Sequence, residues 1–418
     1  MFKQLLLSIK QLWFGLWSFN PKFPVRWMLV ILFVGIFLEF LASDKPIVAK
    51  VEGSWYMPAI GNTLFEVGLN KRYNTIRRYK WSKHDAFMIM PLVPYASTSI
   101  DLKNASFKGP FDEQNYTSIR YRHWLGTDKI GRDVLAGLLN GCRVVLKIIF
   151  LVGIISGFLG LILGGFSGFY GDDMIRWSLS KLLVYSFGGI LFAYVSYMLL
   201  KLQILESSQL ELSTLLLAFL IPVLGYVIVG LLHKLVFANR LDVRLSIPTI
   251  TIPLDSMFYF VIVLLTALPV TVMLLAILSY FQTPSLVLTM SLFGLVLWKG
   301  IARIVRGEVL RVKGEDYIEA ARQLGLKSGQ IFWKHIYPNI RKQFYVVVAT
   351  VVSLSLLIES ALSFLGIGMA VGEISWGVLL NQGKLNISAY WLSLFPGILL
   401  VITVYSLNTI AKEGKRRN

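Results

Sequence analysis

The sequence predicts an all-α polytopic membrane protein, and three observations carry that prediction. Apolar residues come in runs of about 18 or more, the length at which a helix needs a bilayer to bury it. Over the 418 residues, 56% are hydrophobic and 15% charged, against about 25% charged in an ordinary soluble domain. Basic residues are also divided unevenly between the loops that separate the runs.

Eight spans are predicted in chain order. The first, Phe23–Leu41, follows a polar, aromatic head without a small-residue cleavage site, so it reads as a retained anchor. An external segment, Ala42–Arg143, comes next. The remaining spans are Val144–Phe169, Leu182–Leu200, Leu212–Leu232, Met257–Leu278, Pro284–Gly300, Phe344–Phe364 and Tyr390–Leu407. With the N-terminus inside, 23 basic residues fall in the inner head, loops and tail, and only Lys201 and Lys384 in the short outer loops. That bias places both termini in the cytoplasm. The external segment is basic too, but it is too long for the rule to apply. The net charge of +18 is thereby read as membrane orientation, with membrane lipid as its partner and not nucleic acid.

Some chemistry is excluded early. The single cysteine, Cys142, allows no disulfide framework and no multi-thiolate site. His84, His123, His233 and His335 lie far apart without metal-ligand spacing, so no metal is expected. Within the spans, Glu39, Lys147 and Glu359 sit toward the ends, where side chains can reach the interface. They do not form the midplane set that an ion-coupled carrier needs. The external segment has no recognisable nucleophile–base set. Its Trp55, Tyr56, Trp81 and many Lys and Arg fit a docking surface better than an active site.

The loop between the sixth and seventh spans is the most informative stretch. Asp316 to Leu324 favours a helix with acid early. Gly325 falls where a helix stops in a left-handed cap. A second short helix fits Ser328–Ile336, with Pro338 ending it. Ala320 and Ala321 allow close backbone approach. Ile331, Phe332, Trp333 and Ile336 form an apolar set suited either to a groove on a partner or to the headgroup layer.

Glu319-Ala320-Ala321, three further residues, Gly325 and then Pro338 resemble the EAA loop of ABC importer permeases. The resemblance implies a coupling helix that docks on an ATP-binding subunit. Tyr337 stands where the family usually has Leu. Two more stretches resemble the dipeptide/oligopeptide C-type permeases. One runs from His123 through Gly126, Thr127, Asp128, Gly131, Arg132 and Asp133. There Gly126 and Gly131 allow tight backbone, Asp128 can cap a helix start, and Arg132 and Asp133 can pair locally or reach the interface. The other holds Glu359, Gly366, Gly368, Trp376 and Gly377, with Glu359 expected to be satisfied by backbone or by a partner subunit, a direct substrate contact being the alternative. The resemblance covers residues 120–175 and 255–410. Asp44-Lys45-Pro46 and Gly53-Ser54-Trp55-Tyr56 are similar to the Yej-type, microcin C-associated branch.

The fold so implied is a type I ABC importer helix bundle of about eight membrane helices, six of them core. Its expected organisation is a head and first helix (1–42), a periplasmic segment (43–143) and a core (144–176 and 254–410). An inserted two-helix hairpin fills 177–253, and the coupling loop is 299–343. The Lys234–Pro253 stretch, rich in Thr, Ile and Pro, suggests a small strand pair. No phosphate-binding loop is present, since Gly325-Leu326-Lys327-Ser328 lacks its spacing. The resemblance thus implies a non-enzymatic transport subunit of the bacterial inner membrane, with no cofactor on this chain. ATP and Mg would reside on two partner ATPases. A B-type permease and a periplasmic or lipid-anchored substrate-binding protein complete the expected complex. Peptide is the family's default substrate, although relatives carry nickel, glutathione or peptide antibiotics. An ion-driven carrier and a membrane enzyme or sensor are the competing readings.

Overall fold

The computed structural model describes residues 22–51, 54–59, 87–172, 176–206, 249–251, 253–279, 285–367 and 373–416, with scattered positions from 217 to 230. It is mostly helical, as the apolar runs predict. In chain order the main elements are α1 (Lys22–Ile36), α2 (Leu38–Leu41), β1 (Val48–Val51), β2 (Ser54–Tyr56), β3 (Met88–Ile89) and α3 (Val134–Tyr170). Then follow β4 (Arg176–Ser178), α4 (Leu179–Glu206), β5 (Thr249–Thr251), α5 (Leu254–Ala267), α6 (Val270–Leu278) and α7 (Leu286–Lys313). The loop and C-terminal part hold α8 (Asp316–Gln323), α9 (Ser328–Ile331), α10 (Tyr337–Phe364), α11 (Trp376–Leu385) and α12 (Trp391–Arg416).

Among the described residues, four helices are long and apolar enough to span: Val134–Tyr170, Leu286–Lys313, Ser328–Phe364 and Trp391–Lys412. The pair α5 and α6 passes the same test together, and Phe23–Ile36 and Tyr185–Leu199 are shorter apolar helices. Seven of the eight predicted spans therefore coincide with a helix. Most of the eighth, Leu212–Leu232, lies outside the described residues.

Two predicted spans are interrupted. The first breaks at Phe37, between α1 and α2. The fifth bends by 78° between α5 and α6. Pro269 explains that bend. It cannot donate to the helix ladder, and it drives Leu268 before it to extended backbone, with φ −90° and ψ 130°. Of the Lys234–Pro253 stretch, where a small strand pair is expected, only 249–251 and 253 lie among the described residues. Thr249–Thr251 pairs antiparallel with Arg176–Ser178, outside the Lys234–Pro253 stretch, with Trp177 opposite Ile250. This two-stranded sheet brings together residues at the two ends of the 177–253 stretch.

The chain divides into two compact units. The first comprises residues 1–155, 285–294 and 345–418, and the second comprises 156–284 and 295–344. In the first, α12 packs on both α1 and α11, with Trp27 Nε1 donating to Thr403 Oγ1 at 3.1 Å. A small apolar cluster of Leu38, Ala42, Val93 and Ala136 ties α2 to the external segment. There β1 is the central strand of an antiparallel sheet ordered β2-β1-β3. In the second unit, Gly160, Gly164 and Gly168 recur every four residues on α3. Side chains there would meet Ile301, the Ala302 backbone and Val309 of α7. This is the small-residue crossing of membrane helices, where bare backbone lets two helices close up.

Candidate functional site

Two constellations contain the residues singled out by sequence, one in each unit. The first is the loop after α7. α8 carries Asp316 and Glu319 in its first turn and Arg322 in its last, each the sign that favours the helix dipole. It ends in a Schellman motif. Gly325 has φ +77°, its N–H donates to the Arg322 carbonyl at 3.0 Å, and the Leu326 N–H donates to the Ala321 carbonyl at 3.2 Å. No atom lies within 4 Å of where a Gly325 side chain would begin. The glycine is thus required by its left-handed backbone and not by crowding. The Gln330 side chain then accepts from the Lys327 N–H at 3.1 Å and starts α9.

Here the structure corrects two expectations. Pro338 does not end the second helix, which continues from Ser328 to Phe364. A π turn, Phe332–Ile336, lies just before the proline, with the Tyr337 N–H reaching back to the Phe332 carbonyl. The wider turn relieves the clash of the proline ring with the preceding turn and removes the need for its missing N–H. Nor is the apolar set all available to a partner. Ile331 and Ile336 are buried within the chain. Phe332 is half-buried in the space left by Gly165, edge-on to Phe169 at 6.1 Å. Trp333 remains half exposed.

The outward face of α8 is instead Tyr317, Ala320 and Leu324, spaced i, i+3, i+7, with Leu324 83% exposed. Glu319 flanks it and is also exposed, while Ile318 and Ala321 face inward. Asn339 Nδ2 bridges the two helices by donating to the Tyr317 hydroxyl at 3.0 Å.

The second constellation is the His123–Asp133 motif. His123 is fully buried and stacked on Tyr95, with ring centroids 4.4 Å apart. Its Nδ1 donates to Asp133 Oδ2 at 2.8 Å, and its Nε2 lies 3.4 Å from Asp101 Oδ2. Burial alone would pull the imidazole pKa down. The hydrogen bond and charge of Asp133, followed by those of Asp101, outweigh burial and hold it above the usual histidine value. Burial pushes the Asp101 carboxyl up, but the Asn104, His123 and Lys103 hydrogen bonds prevail and hold it below the usual range.

Asp133, not Asp128, caps the long helix: its Oδ1 accepts from the Ala136 N–H at 2.7 Å. Asp128 serves the turn before it, accepting from the N–H groups of Ile130 and Arg132, both at 2.9 Å. Arg132 pairs with Asp128 at 2.7 Å and not with Asp133. Gly126 and Gly131 have φ +78° and +88°. At Gly131 a side chain would also collide with the Asp101 carbonyl. Thr127 Oγ1 donates to the Asn104 carbonyl at 2.7 Å.

Glu359, Trp376 and Gly377 lie in the same unit. Glu359 is 3% exposed and is satisfied by serines of its own chain, correcting the expectation of backbone or a partner subunit. The Ser360 and Ser363 hydroxyls donate to it at 3.2 and 2.9 Å, and Ser375 also hydrogen-bonds to it. Gly377 abuts Ser360 and Ser363, and the Trp376 indole fills the space left by Gly141 and donates to the Leu138 carbonyl at 3.0 Å. Gly366, at φ +80°, ends α10 in a second Schellman motif, with Ile367 N–H to the Leu362 carbonyl at 2.8 Å. Glu39 and Lys147, expected to reach the interface, are instead ion-paired with Arg143 at 2.9 Å and Glu373 at 3.5 Å. Sequence reasoning missed Trp391, which donates to the Thr127 carbonyl at 3.2 Å. It also missed the Gly160, Gly164, Gly168 series, whose four-residue spacing was readable.

Known proteins resemble this chain at two levels. Residues 251–414 match the model of the binding-protein-dependent transport system inner membrane component. These residues are a permease domain of that family. The domain includes α8, Gly325, Glu359 and Trp376. Similarity extends beyond it: the inner membrane ABC transporter permease protein YejE of Escherichia coli is 25% identical over 96% of this chain and 92% of its own length. The peptidoglycan transport system permease protein YejE of Agrobacterium fabrum is 24% identical over 91% of this chain and 82% of its own. The oligopeptide transport system permease protein OppC of Salmonella typhimurium is 34% identical over 39% of this chain, which spans about half of that relative, 54%. The apolar helices and the family together make this permease a membrane-embedded transport subunit.

Proposed function

We propose that the chain is the translocating subunit of an ATP-driven importer for peptides or peptide-like compounds, both termini lying in the cytoplasm. The observation that carries this reading is the α8–Gly325 loop inside the family domain, with its Tyr317, Ala320 and Leu324 face turned outward. An apolar strip flanked by charge on a short capped helix fits a groove on a partner. The partner proposed is an ATPase subunit, one of two, which would carry the ATP and Mg. A B-type permease and an external substrate-binding protein would complete the complex. The names of the relatives favour peptidic cargo: oligopeptide for one and peptidoglycan for another.

In this reading the ATPases close on ATP and carry α8 with them. The loop is fixed by the π turn and the Phe332–Gly165 contact, so its displacement passes into the helices without a flexible joint. Glu319 and Ala320 would contact the ATPase. Ala321, Ile331 and Ile336 hold the loop from behind, and Pro338 lies where the π turn passes into α10. The His123–Asp133 motif and the Glu359 serine cluster shape the outer part and take no part in ATP chemistry.

Partner capture tests the proposal. Tagged chain, purified in mild detergent beside a Gly325→Asp variant, is probed for co-purifying proteins. The wild type is expected to bring down a second permease and ATP-binding subunits, and the variant to keep the permease but lose the ATPases. The open space around Gly325 limits the local cost of that variant to backbone strain of about 1–2 kcal/mol. A stable wild-type chain that captures no ATPase would reopen the carrier and enzyme readings.

A further inference from the structure

The first unit contains a cavity of about 290 Å³ whose lining is mainly polar and charged. One wall is a stripe of α3, Ala136, Asn140, Arg143 and Lys147, spaced i, i+4, i+7, i+11 and so on one helix face. Opposite stand Glu39 at the end of the first span, Ser43 and Asp44 after it, Ser97 and Thr98, and Glu373. Arg143 holds Glu39 at 2.9 Å and Lys147 holds Glu373 at 3.5 Å. Asp44 is exposed, and among the described residues it has no hydrogen-bond or ion-pair partner. Three carboxylates thus face two cations, and each cation already holds one carboxylate.

We propose that this cavity is a transit site for the terminal ammonium of a short peptide or peptide-like solute. Asp44 would take the ammonium, and Arg143 and Lys147 the solute's carbonyl or carboxylate oxygens. The inference rests on the importer reading and adds a place where cargo is held. The volume lies at the small end for ligand pockets, which suits a chain terminus and not a whole large solute. The cavity's apolar lining is confined to Leu38, Ala42, Ala96 and Ala136. It offers no long apolar wall for acyl chains, which favours a solute over a lipid headgroup. Resident ion pairs also suit transit. An arriving zwitterion exchanges partners with them, so it is held only weakly and leaves again, as conduction requires.

The test is saturation-transfer NMR on the full chain in phosphatidylglycerol nanodiscs, with trialanine and N-acetyl-trialanine as probes. Trialanine is expected to give a signal strongest at its amino-terminal methyl. N-acetylation or Asp44→Asn should weaken apparent binding roughly tenfold, the loss of one charge-assisted hydrogen bond. Thr98→Trp should block it from the rim. Both variants alter exposed residues, and unchanged thermal melts establish that they fold. Equal binding of the acetylated probe, or an indifferent Asp44→Asn, overturns the proposal. So does quenching of the trialanine signal when phosphatidylethanolamine replaces phosphatidylglycerol, which assigns the cavity to a headgroup. ATP-driven trialanine uptake by the reconstituted complex separates the two readings. Uptake with no Asp44-dependent signal sinks only the cavity. An Asp44-dependent signal without uptake sinks the peptide-importer reading and the transit role with it, and leaves only an ammonium-binding cavity.

Discussion

Replacing Asp133 should damage the first unit in a way that separates its two bonds. One carboxylate oxygen caps α3 through the Ala136 N–H, and the other receives the buried His123 Nδ1 proton. Asp133→Ala removes both. Loss of a helix cap costs about 1 kcal/mol, and a buried donor left without its partner costs roughly 1–3 kcal/mol more. The sum is about 2–4 kcal/mol. Asp133→Asn keeps a good cap and a polar neighbour for the imidazole, and forfeits mainly the charge. It should cost less than half as much. The assay is thermal unfolding followed by tryptophan fluorescence on purified chain in one detergent, with proteolysis of the external segment as a second probe. Alanine and asparagine variants that melt together, or an alanine variant indistinguishable from wild type, would refute the argument that Asp133 joins the motif to the helix.

Other expectations follow from the same geometry. His123 has a raised pKa, so its contribution is full below the ordinary histidine value and is lost as pH rises through the folded one. Asp101, lowered, contributes above the ordinary carboxylate value and loses its effect as pH falls through the folded one. Melting temperature should therefore fall as pH rises above the ordinary histidine value, and His123→Gln should flatten that limb; an unchanged slope counts against the pairing. At Gly164 a side chain would collide with the Ala302 backbone, so Gly164→Leu should destabilise by about 1–3 kcal/mol, read as lost thermostability in detergent. Leu324→Asp alters a side chain that is 83% exposed; it should leave the melt unchanged yet reduce ATPase capture, and intact capture would remove Leu324 from the docking face.

The helices were largely legible because burial in a bilayer demands long apolar runs, and such runs survive in the sequence whatever packs on them. Gly325 was legible for a similar local reason. A left-handed cap needs glycine, and the Schellman bonds to Arg322 and Ala321 are made by near neighbours. What failed depended on partners far along the chain. The spacing of Ile331, Phe332 and Ile336 shows an apolar face, but not that Gly165 leaves room for the Phe332 ring. The sequence assigns Glu359 to backbone or a partner subunit because nothing local marks Ser375 as its neighbour. The bend at Pro269 is different. The signal was present, since proline and the residue before it both resist a helix, and hydrophobicity alone overrode it.

The continuity of Ser328–Phe364 bears directly on how the loop would work. Had Pro338 ended a short helix, α8 and α9 would hang from α10 by a joint, and displacement at the Leu324 face would dissipate there. The π turn instead carries the helix through the proline, and Phe332, seated over Gly165 and edge-on to Phe169, fixes that turn to α3 within the same unit. Phe332→Ala should loosen this seat. Truncation of a half-buried aromatic costs less than the roughly 3–5 kcal/mol of a fully buried one, so the chain should still fold and still capture its partners. If the seat transmits displacement, ATP hydrolysis by the assembled complex should lose its dependence on the loaded binding protein while transport falls. If the variant complex keeps both its transport and its stimulation by the binding protein, the seat is packing alone, and the force must reach the helices through α10.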